Sequence, residues 1–156
     1  PDSDVYVTPT VKEMRQVAAT GVEVVACQVT GQARPNGEKL EEIIPQFREE
    51  FPNTLLMADT GDLNDVKEAN RLGFNIIGTT MHGYTPTTKG MNIADNDFEY
   101  LKEVLKVAEH PVIAEGKIDL PQKAKRVLEL GVHALVVGGA ITRPLEIANK
   151  FMDAIK

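Results

Sequence analysis

The sequence predicts an α/β fold with parallel strands, and within that class part of a (β/α)8 barrel (TIM barrel). Three observations carry this. Apolar runs and helical patterns alternate, strand then helix, through five units, and a strand followed by a crossover helix leads to a parallel neighbour. The runs are unbroken, as in Val112-Ile113-Ala114 and Ala134-Leu135-Val136-Val137, which is the pattern of strands covered on both faces. Polar residues and glycines stand where the runs end, at Gln28, Asp59, Thr79, Thr80, Glu115 and Gly138, and on a barrel these positions fall on the C-terminal rim.

Each element has a local justification. The first helix opens with Thr10-Val11-Lys12-Glu13, a capping-box pattern, and carries Val11, Met14, Val17 and Ala18 along one face. Strands are expected over 22–29, 54–59, 75–80, 111–115 and 134–138, with helices over 38–50, 62–72, 97–109, 121–130 and 144–155. Three helix-to-strand joints repeat a glycine, at Gly21, Gly73 and Gly131, where a left-handed helix end precedes an apolar run. Asp62 is the expected cap of the helix over 62–72, with Leu63, Val66, Ala69 and Leu72 facing the core. Pro121 suits a first helical position because the N–H it lacks would have no partner there. Pro45 removes a hydrogen bond from the helix over 38–50, which is therefore expected to kink or to start later. The stretch 81–96, containing His82, Gly83, Tyr84, Pro86 and Gly90, is the longest irregular segment and reads as a lid or binding loop.

At 156 residues the chain is expected to form a single domain, 1–156, with no linker or low-complexity tract. An open doubly wound sheet is the competing architecture, but no G-x-G-x-x-G joins an early strand to a helix, which weakens its dinucleotide-binding version. A complete barrel takes more than about 200 residues. The chain is therefore expected to be the C-terminal portion of one, covering about the last five strand-helix units, with the first three strands absent.

The formal charge of −6 and a pI near 5.1 oppose a broad nucleic-acid interface, and the absence of tryptophan leaves few stacking residues for bases. A small anion is still compatible with this charge, because backbone N–H groups and one arginine bind it locally. No apolar run approaches the roughly 18 residues of a membrane span, and the first residues carry no secretion pattern, so the cytoplasm is the expected compartment. Cys27 is the one cysteine and lies within an apolar run, which makes it a small buried residue rather than half of an internal disulfide. His82, His110 and His133 lack metal-ligand spacing, so no metal site and no cofactor are expected.

The chemistry concentrates in the last third. Glu115 and Gly116 end one apolar run, Gly138 and Gly139 end the next, and Arg143 follows four residues later. In α/β folds ligands gather where such strands end. These residues set one carboxylate and one guanidinium beside glycine backbone able to approach a phosphate. The plain alternatives are a rim carboxylate paired to Lys117, glycines needed only for a tight turn, and a solvated arginine at a helix start.

The ordered blocks Tyr6-Val7-Thr8-Pro9-Thr10, Leu55-Leu56-Met57-Ala58-Asp59, Gly78-Thr79-Thr80-Met81-His82-Gly83-Tyr84-Thr85, Val112-Ile113-Ala114-Glu115-Gly116 and Val137-Gly138-Gly139-Ala140-Ile141-Thr142-Arg143-Pro144 span nearly the whole chain. Through them the sequence resembles the N-acetylmannosamine-6-phosphate 2-epimerases of bacterial sialic acid catabolism. The resemblance implies a (β/α)8 barrel that interconverts N-acetylmannosamine 6-phosphate and N-acetylglucosamine 6-phosphate by proton transfer at C2, without a cofactor. It implies Glu115 as catalytic acid or base, Asp59, Thr79 and Arg143 as substrate-binding residues, and Gly116, Gly138 and Gly139 as phosphate-binding residues.

The family's catalytic lysine belongs to a Lys-Arg-Asp-Tyr segment at the end of its third strand, upstream of Pro1. Where the family has Asp-Ala-Thr followed by Arg-Pro, this chain reads Gln28-Val29-Thr30 and then Arg34-Pro35. The implied partner is a phosphorylated amino sugar, with no nucleic acid and no membrane, and a homo-oligomer is left open. Two other functions are compatible with the residues: another phosphate-binding barrel enzyme, or a non-catalytic phosphosugar-binding fragment.

Overall fold

The computed structural model describes residues 3–156. Local signals set where most elements begin. Glu13 reaches back to the Thr10 N–H at 3.0 Å and starts helix α1 (Val11–Ala18), whose Met14 and Ala18 are buried while Val17 faces outward. Strand β1 (Val24–Gln28) follows, and a short 3-10 turn at Pro35–Gly37 leads into α2 (Leu40–Glu50). This helix starts two residues later than the sequence pattern suggests and runs through Pro45, burying Ile43, Ile44 and Phe47.

Strand β2 (Leu55–Asp59) precedes α3 (Leu63–Arg71), which Asp62 caps by accepting from Asn64 N and Asp65 N. Asp65 answers by accepting from the Asp62 and Gly61 N–H groups, a reciprocal box the sequence reading took only as far as Asp62. Strand β3 (Ile76–Gly78), helix α4 (Asp95–Val107), strand β4 (Val112–Ala114), helix α5 (Pro121–Glu129) and strand β5 (Ala134–Leu135) continue the alternation. Helices α6 (Gly139–Thr142) and α7 (Pro144–Ala154) end the order. The three predicted helix-to-strand joints turn through left-handed glycines, with φ of 85°, 71° and 97° at Gly21, Gly73 and Gly131.

All five strands are parallel and pair in sequence order, with Gln28 opposite Asp59 and Asp59 opposite Gly78. The chain is thus an α/β structure carrying consecutive strand-helix units in barrel order. Helices cover one face of the sheet, where Val25, Cys27, Leu56, Ala58, Ile77, Val112 and Ala114 are buried. The opposite, concave face is less covered, and Val24 and Leu55 are 37% and 43% exposed there. Strand β1 ends the sheet on one side, with the segment before α1 lying along it, and Val7 O accepts from Gln28 N at 3.3 Å.

Several strands are shorter than their apolar runs. Strand β5 pairs over two residues; among the described residues β4 is its one neighbour, and the chain turns at Gly138 into α6. Helix α4 begins near Asp95, but Asn96, Asp97 and Phe98 take positive φ, so regular right-handed geometry starts after them. Asp97 is held there by Arg126 and Lys102, and those cations keep its carboxyl well below the usual carboxylate range.

Candidate active site

The site is assembled where β2, β3 and β4 end. Asp59 is the last residue of β2 and is 4% exposed. Its register partner on β3 is Gly78, where an added Cβ would stand 3.1 Å from Asp59 Oδ1, so the absent side chain leaves room for the carboxylate. Two residues on, Thr80 donates its hydroxyl to Asp59 Oδ1 at 2.6 Å, and the same Oγ1 lies 3.4 Å from Glu115 Oε2. One hydroxyl therefore stands between two carboxylates delivered by different strands. Burial pushes the Asp59 carboxyl up to about 6, the Thr80 hydrogen bond working against that and the Glu115 charge adding to it.

Glu115 follows β4 and is half-buried. Its backbone is fixed by Thr79, whose hydroxyl accepts from Glu115 N at 2.9 Å and donates to Glu115 O at 2.8 Å. Beyond it the chain turns through Gly116 (φ 105°) and Lys117 (φ 53°). Lys117 turns away from Glu115 and donates to Met91 O at 3.0 Å, its ammonium 5.8 Å from the Tyr84 ring centroid. This pins the stretch after β3 to the rim.

Thr80 and Glu115 border a cleft of about 640 Å³ whose other walls include Gly116, Gly138, Gly139 and Arg143. The first N–H groups of a helix have no intrahelical partner, and α6 starts at Gly139 on this wall. The Arg143 guanidinium is exposed and donates to Glu146 Oε1 at 2.9 Å. Tyr6 and Tyr84, 66% and 57% exposed, stand on the same rim.

The structure thus brings together Asp59, Thr79 and Glu115 at the strand ends, and Gly116, Gly138, Gly139 and Arg143 along the cleft. Thr79 is fully buried and its hydroxyl is spent on the Glu115 backbone, so it acts on the cleft through Glu115. The sequence reading missed Thr80 as the bridging residue. The available signal was the period of two along a strand, which puts Thr80 on the same side as Gly78.

Three other residues have structural places. His82 is buried, stacks on Tyr100 with ring centroids 3.8 Å apart, and its Nδ1 lies 2.8 Å from Gly61 O, all away from the cleft. Gln28 accepts from Tyr6 N at 2.7 Å and donates to Thr30 Oγ1 at 2.8 Å, so its amide ties the segment before α1 to β1. An ionised carboxylate there could accept from Tyr6 N and from the Thr30 hydroxyl, but it could not donate to Asp4 O as the Gln28 amide does at 3.4 Å. Arg34 is 9% exposed and donates to the carbonyls of Thr8, Pro9 and Gln28 beside the buried Cys27. Among the described residues no group of three or more His, Cys, Asp or Glu is arranged to hold a metal ion, and no helix is long and apolar enough to cross a membrane.

Residues 1–156 match the family model described as "Putative N-acetylmannosamine-6-phosphate epimerase". The chain belongs to the N-acetylmannosamine-6-phosphate epimerase family. A relative from Pediococcus pentosaceus, described in the same terms as a 2-epimerase, is 72% identical over 156 residues, covering all of this chain and 68% of the relative. The solved structure of the N-acetylmannosamine-6-phosphate 2-epimerase from Clostridium perfringens is 42% identical with a TM-score of 0.88, over 98% of this chain and 65% of that one. The chain therefore spans about two thirds of the length of these epimerases. Thiamine phosphate pyrophosphorylase from Pyrococcus furiosus, at 21% identity and a TM-score of 0.59, shares the fold alone.

Proposed function

We propose that this chain supplies the C-terminal strand-helix units of an enzyme that epimerises a 2-acetamido sugar 6-phosphate at C2, interconverting N-acetylmannosamine 6-phosphate and N-acetylglucosamine 6-phosphate. The observation that carries this is the pairing of Glu115 and Asp59 through Thr80 beside a cleft walled by glycine backbone and Arg143. In the open-chain sugar, the C2 proton is acidified by the neighbouring aldehyde. Epimerisation needs a base to remove it and a donor to return one on the other face. Glu115, half-buried and fixed at its backbone by Thr79, is the group that meets C2. Backbone N–H groups at Gly116, Gly138 and Gly139, together with Arg143 once it leaves Glu146, receive the phosphate. That placement agrees with the phosphate sites built by the last strand ends of (β/α)8 barrels. The reaction uses a soluble phosphorylated metabolite, which supports a cytoplasmic setting.

The activity belongs to the closed barrel. Strands β1 and β5 end the sheet, and Val24 and Leu55 are partly exposed on its concave face. Three further strand-helix units covering that face would complete the fold and bring the family's lysine to the open side of C2. A phosphosugar-binding role without turnover is the second reading, and the open sheet favours it for the 156 residues alone. The test is to incubate them with N-acetylmannosamine 6-phosphate in D2O, alone and with the N-terminal third of the Pediococcus relative fused or added in trans. The chain alone is expected to self-associate, because open edges and exposed apolar positions promote pairing, and to leave C2 unlabelled. The completed barrel is expected to incorporate deuterium at C2. A monomeric, fully active 156-residue chain would overturn the incomplete-barrel reading, and failure of a folded, completed barrel to label C2 would leave only the binding role.

A further inference from the structure

We infer that Lys117 is a substrate-binding residue, whose ammonium group is held at the cleft wall before a ligand arrives and takes the phosphate of the sugar beside the Gly116 backbone. This rests on the phosphosugar reading of the cleft and adds to it a cation that is already in place. Six charged side chains line the cleft: Glu115, Lys117, Asp119, Arg143, Glu146 and Lys150. Two of the three cations are occupied. Arg143 pairs with Glu146 at 2.9 Å and Lys150 with Asp119 at 3.1 Å. Among the described residues no carboxylate pairs with Lys117, whose donor bond goes instead to the Met91 carbonyl. Its charge therefore meets an incoming anion uncompensated.

The turn after β4 builds this arrangement. Lys117 takes φ 53°, a left-handed conformation uncommon for a long side chain, directly after Gly116 at φ 105°. Two left-handed residues in succession send Glu115 and Lys117 in different directions. Glu115 Oε2 lies 3.4 Å from Thr80 Oγ1, while Lys117 Nζ donates to Met91 O at 3.0 Å. The mutual pairing that their spacing allows is avoided. Gly83 leaves room for the ammonium, since a Cβ there would stand 2.5 Å from Met91 O and 3.4 Å from Lys117 Nζ. Thr88 fixes that turn by accepting from Gly83 N at 2.9 Å. The Tyr84 ring, its centroid 5.8 Å from the ammonium, attracts the cation without neutralising it.

An ammonium has three N–H donors, and Met91 O takes one, which leaves two for an anion. Phosphate binding thus needs no release of Lys117, whereas Arg143 must first leave Glu146. A lysine already held in place also loses less side-chain freedom on binding than a freely rotating one. The phosphate is the most highly charged group of a 2-acetamido sugar 6-phosphate. Lysine recognises it as a point charge and arginine as a fork, so Lys117 and Arg143 serve it in different ways.

The test is calorimetric binding to the completed barrel as wild type, Lys117→Gln and Lys117→Arg. The probe is the reduced, open-chain alditol of N-acetylmannosamine 6-phosphate, which lacks the aldehyde and cannot epimerise; its dephosphorylated form is the control. Lys117→Gln keeps an N–H donor for Met91 O but removes the charge. It is expected to weaken the phosphorylated alditol about 10–100-fold and to leave the control within about 2-fold. Lys117→Arg is expected to recover most of that loss, and wild-type affinity to fall more steeply with added salt than that of Lys117→Gln. Unchanged phosphoalditol binding in Lys117→Gln, or equal weakening of both ligands, would overturn the assignment and leave Lys117 as a support of the wall. If Lys117→Gln does not fold, the 15N signal of the Lys117 ammonium, assigned by its loss in Lys117→Arg, is expected to shift in the wild type with the phosphorylated alditol and not with the control. A signal indifferent to both is equally fatal. Lys117-dependent binding with no deuterium entering C2 of N-acetylmannosamine 6-phosphate in D2O would refute the epimerase reading and leave the phosphate contact standing. Deuterium incorporation with binding indifferent to Lys117 would do the reverse.

Discussion

Replacing Asp59 with Asn should stabilise the protein at neutral pH while damaging its chemistry. The Asp59 carboxyl is raised from its ordinary 3.8 to about 6, chiefly by burial. That difference of about 2.2 units corresponds to about 3 kcal/mol at about 1.4 kcal/mol per unit. The sign follows from which form burial favours. The folded protein prefers the neutral acid, so this group leaves stability intact below 3.8 and costs progressively more as pH rises through 6. Asn keeps a carbonyl oxygen for the Thr80 hydroxyl and carries no charge. Asp59→Asn is therefore expected to gain about 3 kcal/mol over wild type at about pH 7.5, but only about 0.6 kcal/mol at about pH 4. With a urea dependence of about 2 kcal/mol per molar, the first figure is a midpoint shift of about 1.5 M. Asp65, also pushed up to about 6 by burial, adds a pH dependence of the same sign to both proteins and cancels in the difference. The assay is urea denaturation of both proteins at the two pH values. A variant less stable than wild type at neutral pH, or a gain independent of pH, would refute the claim that an ionised, buried Asp59 is held at the site against its own solvation.

Two further substitutions separate the cleft from its supports. Arg143→Lys keeps the charge and loses the two-pronged donor, so affinity for the phosphorylated sugar should fall about 10-fold or more while the unphosphorylated sugar is little affected, as read by calorimetry. Equal weakening of both ligands would place Arg143 off the phosphate. His82→Ala removes the stack on Tyr100 and the contact with Gly61 O, and should cost about 1–3 kcal/mol of stability in denaturant melts. C2 exchange per folded molecule should survive it, because His82 lies outside the cleft; a selective loss of exchange would contradict that placement.

What was legible in the sequence was local or periodic. The glycine joints at Gly21, Gly73 and Gly131, the Asp62 cap and the Pro121 start each depend on a few neighbouring residues, and the structure has them as predicted. Asp59 and Glu115 were legible as members of one rim because parallel strands in sequence order bring their ends to one side. The division of labour between Thr79 and Thr80 was not. Thr79 braces the Glu115 backbone and Thr80 faces the carboxylates, and this depends on the register of three strands at once. Lys117 read naturally as a partner for Glu115, two residues away, but the left-handed turn at Gly116 and Lys117 swings it to Met91. The short pairing of β5 and the left-handed residues 96–98 likewise follow from tertiary surroundings that no local pattern encodes.

The central claim is that Glu115 moves the C2 proton, and solvent deuterium reports on that step directly. In the completed barrel, N-acetylmannosamine 6-phosphate in D2O should acquire deuterium at C2. Glu115→Gln, nearly isosteric and still hydrogen-bonded to Thr79 through its backbone, should slow that incorporation by about 10²–10⁴-fold with the phosphate affinity unchanged. Wild-type labelling rates in a folded Glu115→Gln variant would contradict the assignment.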